Sequence, residues 1–188
     1  MSNSILVTGG ARSGKSHFAQ ELAQKSGKAV LFVATATAGD EEMRQRIAKH
    51  RKARPAAWST LEATTHIGRQ ITDNIGGAET VIVDCITLLI NNILLQYDDI
   101  DDGNFDALTL EKEVAAEINE LTDCIDQINA DFIIVTNEVG LGLVPTNKTG
   151  RLYRDLLGKA NQLLARHCNQ VYLLVAGMPL LIKPDKAR

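Results

Sequence analysis

Five short apolar runs recur along the chain: "SILVTGG", "KAVLFVATAT", "ETVIVDCIT", "DFIIVTNEVG" and "QVYLLVAGMPLLIK". Each is rich in β-branched residues and shows little alternation, which predicts strands buried on both faces, as in a parallel sheet between helices. Between the runs, apolar residues recur at helical spacing. Residues 15–26 bring Phe18, Leu22 and Ala23 to one side of a predicted helix. Residues 40–54 open with the acidic "GDEE", which suits the positive end of a helix dipole. Further helices are predicted over 61–75, 86–97, 107–129 and 149–168, the last with Leu152, Leu156, Leu163 and Leu164 inward. The acidic "YDDIDDGN" separates the fourth from the fifth, and 98–106 is predicted to be a mobile loop. Strands alternating with helices predict an α/β fold: a three-layer sandwich around a mostly parallel central sheet.

Length and charge narrow this picture. A chain of 188 residues suits a single domain over 1–188. A net charge of −3 argues against a general nucleic-acid binder, which carries a strongly basic domain. No apolar run approaches the ~20 residues of a membrane span. The start, "MSNSILVTGG", lacks the basic and long apolar segments of a signal peptide, so a cytoplasmic protein without a membrane span is expected. Cys85, Cys124 and Cys168 are odd in number and form no CxxC pair; each lies in or beside an apolar segment and reads as a buried, reduced thiol.

The first strand runs into Gly9-Gly10-Ala11-Arg12-Ser13-Gly14-Lys15-Ser16, which meets G-x-x-x-x-G-K-[ST] in full and opens a helix. Glycines let the backbone curl so that successive N–H groups point into one cavity and bind phosphate oxygens. Lys15 would reach the β- and γ-phosphates, and Ser16 would ligate Mg²⁺. A P-loop also needs an acidic partner for the metal at the end of a neighbouring strand. "ETVIVDCIT" supplies Asp84, otherwise a helix cap or turn former. The fold class thereby narrows to the P-loop NTPase type.

The stretch "RIAKHRKARPAAW" gathers Arg46, Lys49, Arg51, Lys52 and Arg54 around His50 in an acidic chain. In a helix, Arg46, His50 and Arg54 are spaced i, i+4, i+8 and share a face. The bland reading is a solvated helix face. The chemical reading is a nucleophilic imidazole, which must be neutral; neighbouring cations disfavour imidazolium and can stabilise charge on phosphates. His17, His66 and His167 lack such a cluster.

With "GGARSGKS", "VDCIT" and "VTNEVGLGLVP", this stretch resembles the bifunctional adenosylcobinamide kinase/adenosylcobinamide-phosphate guanylyltransferases of cobalamin synthesis. The resemblance runs from Ile5 to Lys183 with the motifs in family order. It implies phosphorylation of a hydroxyl on the aminopropanol arm of adenosylcobinamide by ATP or GTP. Transfer of GMP from GTP then gives adenosylcobinamide-GDP and pyrophosphate, through a histidine carrying GMP that matches His50. It implies nucleotide contacts at Gly9–Ser16, Ala34, Thr35, Ala36, Arg51, Lys52, Ala53, Arg54, Glu62 and Asp84, and a homotrimer; the Mg²⁺ ligands Ser16 and Asp84 follow from the P-loop reading above.

Read on its own chemistry, Glu62 is either an acceptor for ribose hydroxyls or guanine N–H groups, or a surface glutamate opening a helix at Leu61. Trp58 either stacks on a base or closes the core. Asn137 and Glu138 run off the carboxyl end of a strand, where open α/β sheets place ligands, and are candidates to face the cobinamide arm or deprotonate its hydroxyl. Two alternatives stand beside this function: a P-loop small-molecule kinase without a covalent step, and a GTP-binding regulatory module.

Overall fold

The computed structural model describes residues 2–37, 41–52, 54–97, 100 and 105–185, without the side chains of residues 42, 43, 46, 47, 49 and 50. Among the described residues, six of the seven strands are parallel. In spatial order the sheet reads β3 (Ser59–Glu62), β2 (Val30–Ala34), β4 (Thr80–Asp84), β5 (Asp131–Val135), β1 (Ser4–Gly9), β6 (Gln170–Val175) and β7 (Met178–Lys183), with β7 alone antiparallel. The apolar runs became central strands because both their faces are covered: Val81, Ile82 and Val83 are all 0% exposed.

Two clusters flank the sheet. On one side α1 (Lys15–Ser26) packs Ala19 and Ala23 against Val7, Phe32, Ile82 and Leu174. On the other, α3 (Ile67–Asn74), α4 (Ile86–Leu94), α5 (Ala107–Gln127) and α6 (Lys148–His167) bury Ile71, Leu89, Ile118 and Leu164 on Val33, Val83 and Ile134. The expected three layers and mostly parallel sheet are therefore present. No helix among the described residues is long and apolar enough to cross a membrane. Cys85, Cys124 and Cys168 are free and buried as expected. Burial pushes the Cys85 thiol up to about 11 and the Cys168 thiol to about 12, so neither is a nucleophile at neutral pH.

Three expectations needed correction. The helix expected over 61–75 is α3 alone, and the residues before it include the short edge strand β3, which places Glu62 on a strand. Ser59 and Thr60 favour extended backbone, and pairing with Leu31–Ala34 outweighs the helical pattern. The run 170–183 is a hairpin: Ala176 and Gly177 both have positive φ (51° and 82°) and turn the chain in two residues. The helix expected over 40–54 is α2 (Glu41–Lys52), which stops short of Pro55, as the residue preceding a proline disfavours helix. Arg54 thus lies beyond the helix end and does not continue its face. Of the loop expected over 98–106, residues 98–99 and 101–104 lie outside the described residues.

Candidate functional site

The turn between β1 and α1 is made by backbone that side chains would obstruct. Gly9 has φ +145°, and a Cβ there would lie 2.4 Å from the Leu174 carbonyl oxygen and 2.9 Å from Ser13 Oγ. Gly14 has φ +99° with Gly177 Cα 3.2 Å from where its Cβ would be. Both positions require glycine. The turn is pinned from outside: Glu138 N donates to Gly9 O (3.2 Å), and Gly177 N, at the hairpin tip, donates to Ser13 O (2.9 Å). Lys15, 7% exposed, curls back to place Nζ 2.6 Å from Gly10 O. Gly10, Ala11 and Arg12 form the exposed rim, and Ser16 is half-buried in the first turn of α1.

Two features of this cradle suit an anion. The N-terminus of α1 has no side-chain cap, whereas Asp106 caps α5 and Asn147 caps α6; its first amides and the dipole they carry favour phosphate. Ser13 Oγ is buried with no hydrogen-bond partner among the described residues. A buried hydroxyl left so is costly, and a phosphate oxygen satisfies it.

A second group gathers at the ends of β2, β3 and β4. The register sets Ala34 opposite Glu62 on one side and Asp84 on the other. Asp84 was expected on a strand neighbouring the P-loop strand; β5 lies between them, so the two are two strand spacings apart, roughly 10 Å. Arg54 stacks its guanidinium 3.6 Å from the Phe32 ring centroid, and its buried Nε has no hydrogen-bond partner among the described residues. Burial lowers its pKa, countered by the attraction of Asp84 and Glu62; a guanidinium remains charged regardless. Arg51 Nη1 lies 3.5 Å from Glu62 Oε1, both side chains well exposed. Lys52 is exposed and Ala36 half-buried. His50, with Arg46 and Lys49, is carried by α2; its side chain lies outside the described residues, as does Ala53.

Buried polar residues tie these loops together. Thr35, 0% exposed, donates its hydroxyl to Cys85 O and accepts from Cys85 N, both 2.8 Å. Asn92 Nδ2 donates to Thr35 O (2.8 Å) and Thr64 O (3.2 Å), joining the loops after β2 and β3. On the cradle side, Glu138 Oε1 accepts from Thr8 Oγ1 (2.8 Å) and Asn161 Nδ2 (3.1 Å). Asn137 gives both its backbone N and Nδ2 to Thr87 Oγ1 (3.1 and 2.9 Å).

Sequence reasoning missed Asn92, Asn161 and Gly177. The first two left a signal, since each is an amide among apolar helix positions, Asn161 falling in register with Leu157 and Leu164. Trp58 is half-buried against the α1-side cluster, the core reading. The other histidines sit beside carboxylates: His17 by Glu21 (3.1 Å), His66 by Glu120 (3.3 Å) and His167 by Asp126 (3.1 Å).

Divalent metal chemistry suits the donors present. Among the described residues no three His, Cys, Asp or Glu side chains converge on a metal site. Mg²⁺ does not need such a cage; it takes one or two protein oxygens, with waters and substrate phosphates completing its shell. Ser16 and Asp84 offer oxygens of that kind.

Comparison with known proteins agrees with these features. Residues 5–182 match the family model described as "Cobinamide kinase / cobinamide phosphate guanyltransferase". The "Bifunctional adenosylcobalamin biosynthesis protein CobU" of Escherichia coli is 41% identical over 180 residues, 95% of this chain and 99% of that one. The corresponding CobP of Pseudomonas aeruginosa is 39% identical, covering 96% and 97% of the two chains. CobU of Salmonella typhimurium is 38% identical, covering 95% and 99%. The chain belongs to the cobinamide kinase / cobinamide phosphate guanyltransferase family.

Proposed function

We propose that this family member phosphorylates the aminopropanol hydroxyl of adenosylcobinamide with ATP or GTP, then transfers GMP from GTP to the new phosphate by way of His50. The observation that supports nucleotide chemistry most strongly is the cradle: glycines at positive φ, an uncapped helix start and a Ser13 hydroxyl without a partner among the described residues, all within one turn. In the first reaction, Gly9–Ser16 hold the phosphates and Lys15 neutralises charge on the transferred γ-phosphoryl group. Ser16 and Asp84 would hold Mg²⁺, which when bound would neutralise further charge at the phosphate oxygens.

In the second reaction, the neutral His50 imidazole attacks the α-phosphorus of GTP. The bond to the pyrophosphate oxygen breaks and its electron pair departs with pyrophosphate. A phosphate oxygen of adenosylcobinamide phosphate then attacks the same phosphorus and releases the imidazole, giving adenosylcobinamide-GDP. Arg54, Arg51 and Lys52 offer cations to the departing charge, and the half-buried Arg54 has the greater electrostatic leverage. Glu62 accepts hydrogen bonds from the ribose or guanine, and Ala34, Thr35, Ala36 and Ala53 line the nucleoside side. The reading includes a cytoplasmic homotrimer that binds a corrinoid and no nucleic acid.

The test is to locate the adduct. After incubation with GTP and Mg²⁺, peptide mass spectrometry is expected to find an acid-labile GMP on His50. A GMP adduct on any other residue, or none in a preparation that makes adenosylcobinamide-GDP, rejects the covalent route.

A further inference from the structure

The core-facing stripe of α6 contains one polar residue that packing does not require. Leu157, Asn161 and Leu164 follow one another at i, i+4 and i+7, and Asn161 is 6% exposed. A leucine there would continue the stripe, and burying an amide costs free energy unless every polar atom is bonded. Asn161 is bonded on both sides. Its Oδ1 accepts from the Thr136 hydroxyl (2.7 Å), itself 0% exposed, which fixes which way the amide points. Its Nδ2 donates to Asn137 O (3.0 Å) and to Glu138 Oε1 (3.1 Å).

The last of these bonds reaches a carboxylate at the mouth of the phosphate cradle. Glu138 Oε1 also accepts from Thr8 Oγ1 (2.8 Å), the residue before Gly9, while its backbone N donates to Gly9 O (3.2 Å). One oxygen is thus committed to two donors, and Oε2 has no hydrogen-bond partner among the described residues. β5 lies between β1 and β4, so the residues following it stand between the phosphate cradle and Asp84. Asn137 is unsuited to take a proton there, since an amide is not a base and its N–H groups already serve Thr87.

We propose that Glu138 is the general base of the phosphoryl-transfer reaction, with Asn161, Thr136 and Thr8 as positioning residues that hold its carboxylate at the cradle. This rests on the kinase half of the function proposed above. The acceptor hydroxyl oxygen bonds to the γ-phosphorus as the bond from that phosphorus to the β–γ bridging oxygen breaks. The electron pair leaves with the nucleoside diphosphate, and the hydroxyl proton passes to Glu138 Oε2 and then to solvent. Guanylyl transfer needs no such base, because its acceptor is already a phosphate oxygen. Glu138 therefore serves one of the two reactions that share the cradle.

That asymmetry supplies the test. Glu138→Gln keeps an acceptor oxygen for Thr8 and Asn161 and removes the basicity. Phosphorylation of cobinamide from γ-labelled ATP is expected to fall by at least about 100-fold, the lower range for a lost general base, with the KM for ATP unchanged. Protein labelling by α-labelled GTP, and GMP transfer to pre-phosphorylated cobinamide, are expected to continue at the wild-type rate. Asn161→Leu, which preserves packing, is expected to lower kcat for phosphorylation by about tenfold without touching α-labelling. A glutamine variant that phosphorylates normally overturns the assignment. One that also loses α-labelling makes Glu138 part of the nucleotide site instead, which overturns it equally. Should the wild type itself show no α-label, the covalent reading fails alone, and Glu138 is judged by phosphorylation against ATP affinity.

Discussion

The two sides of the carboxyl edge are built of different material. Around β1 the site is backbone: Gly9, Gly14 and the first turn of α1 present amides, and the turn is bolted to the segment after β5 through Glu138 N and to the β6–β7 hairpin through Gly177 N. Around β2, β3 and β4 the site is side chains: Arg54 on Phe32, Arg51 beside Glu62, Asp84 at a strand end. Exposed ion pairs such as Arg51–Glu62 contribute only about 0–1 kcal/mol, so that side is tied chiefly by buried groups, Thr35 and Asn92 above all. A backbone site is sensitive to added atoms, and a side-chain site to removed ones.

The largest expected effect is therefore on the backbone side. Gly9→Ala drives a Cβ toward the Leu174 carbonyl, a backbone atom that cannot swing away, and adds strain at positive φ of about 1–3 kcal/mol. The Kd for both ATP and GTP, followed by calorimetry, is expected to rise by about 100-fold or more. An alanine variant with normal affinity would break the contrast at once. Next is Arg54→Ala on the side-chain side. Losing a half-buried cation, here the one proposed to bond a phosphate oxygen, costs about 1.5–3 kcal/mol. A 10–100-fold loss of GMP transfer is expected on that basis, with phosphorylation from ATP held within about threefold. Equal losses in both reactions would merge the two sides into one.

Asn92→Ala sharpens the comparison more gently. It removes the amide that joins the loops after β2 and β3, and takes the side-chain donor from the buried Thr35 carbonyl and from the Thr64 carbonyl. A stability loss of about 1–3 kcal/mol is expected from urea unfolding, seen in the midpoint and not the slope. Because those loops are the ones proposed to line the guanosine side, GMP transfer is expected to suffer more than phosphorylation. His17→Ala is the smallest: the ring is exposed beside Glu21 on α1, and both rates are expected to stay within about twofold of wild type.

What was legible in the sequence follows the same division. The cradle could be read because its parts are contiguous: eight residues in fixed spacing, after a strand and before a helix. The central strands could be read because burial on both faces writes itself as an apolar run. β3 was not, since a four-residue edge strand with mostly exposed side chains takes its conformation from pairing with β2, which no local pattern records. The hairpin was concealed inside one apolar run, although Ala176-Gly177 marked the turn. The Glu138–Asn161–Thr8 network joins residues 23 and 130 positions apart, so the strand-end position of Glu138 and the amide among leucines at Asn161 were legible singly but their bond was not. Pro55 marks the stop of α2 in the sequence, and the i, i+4, i+8 spacing of Arg46, His50 and Arg54 runs past the helix end at Lys52. Arg54 reaches the site by stacking on Phe32 from beyond the helix end.

The most direct measurement follows two labels in one reaction. γ-Labelled and α-labelled GTP, given with cobinamide to wild type, Lys15→Ala and His50→Ala, report phosphoryl and guanylyl transfer separately. If one cradle serves both reactions and one histidine serves the second, Lys15→Ala loses both labels from product. His50→Ala keeps the γ-label in cobinamide phosphate and loses the α-label from protein and product alike. An α-label that survives in His50→Ala, or full activity of either kind in Lys15→Ala, contradicts the account.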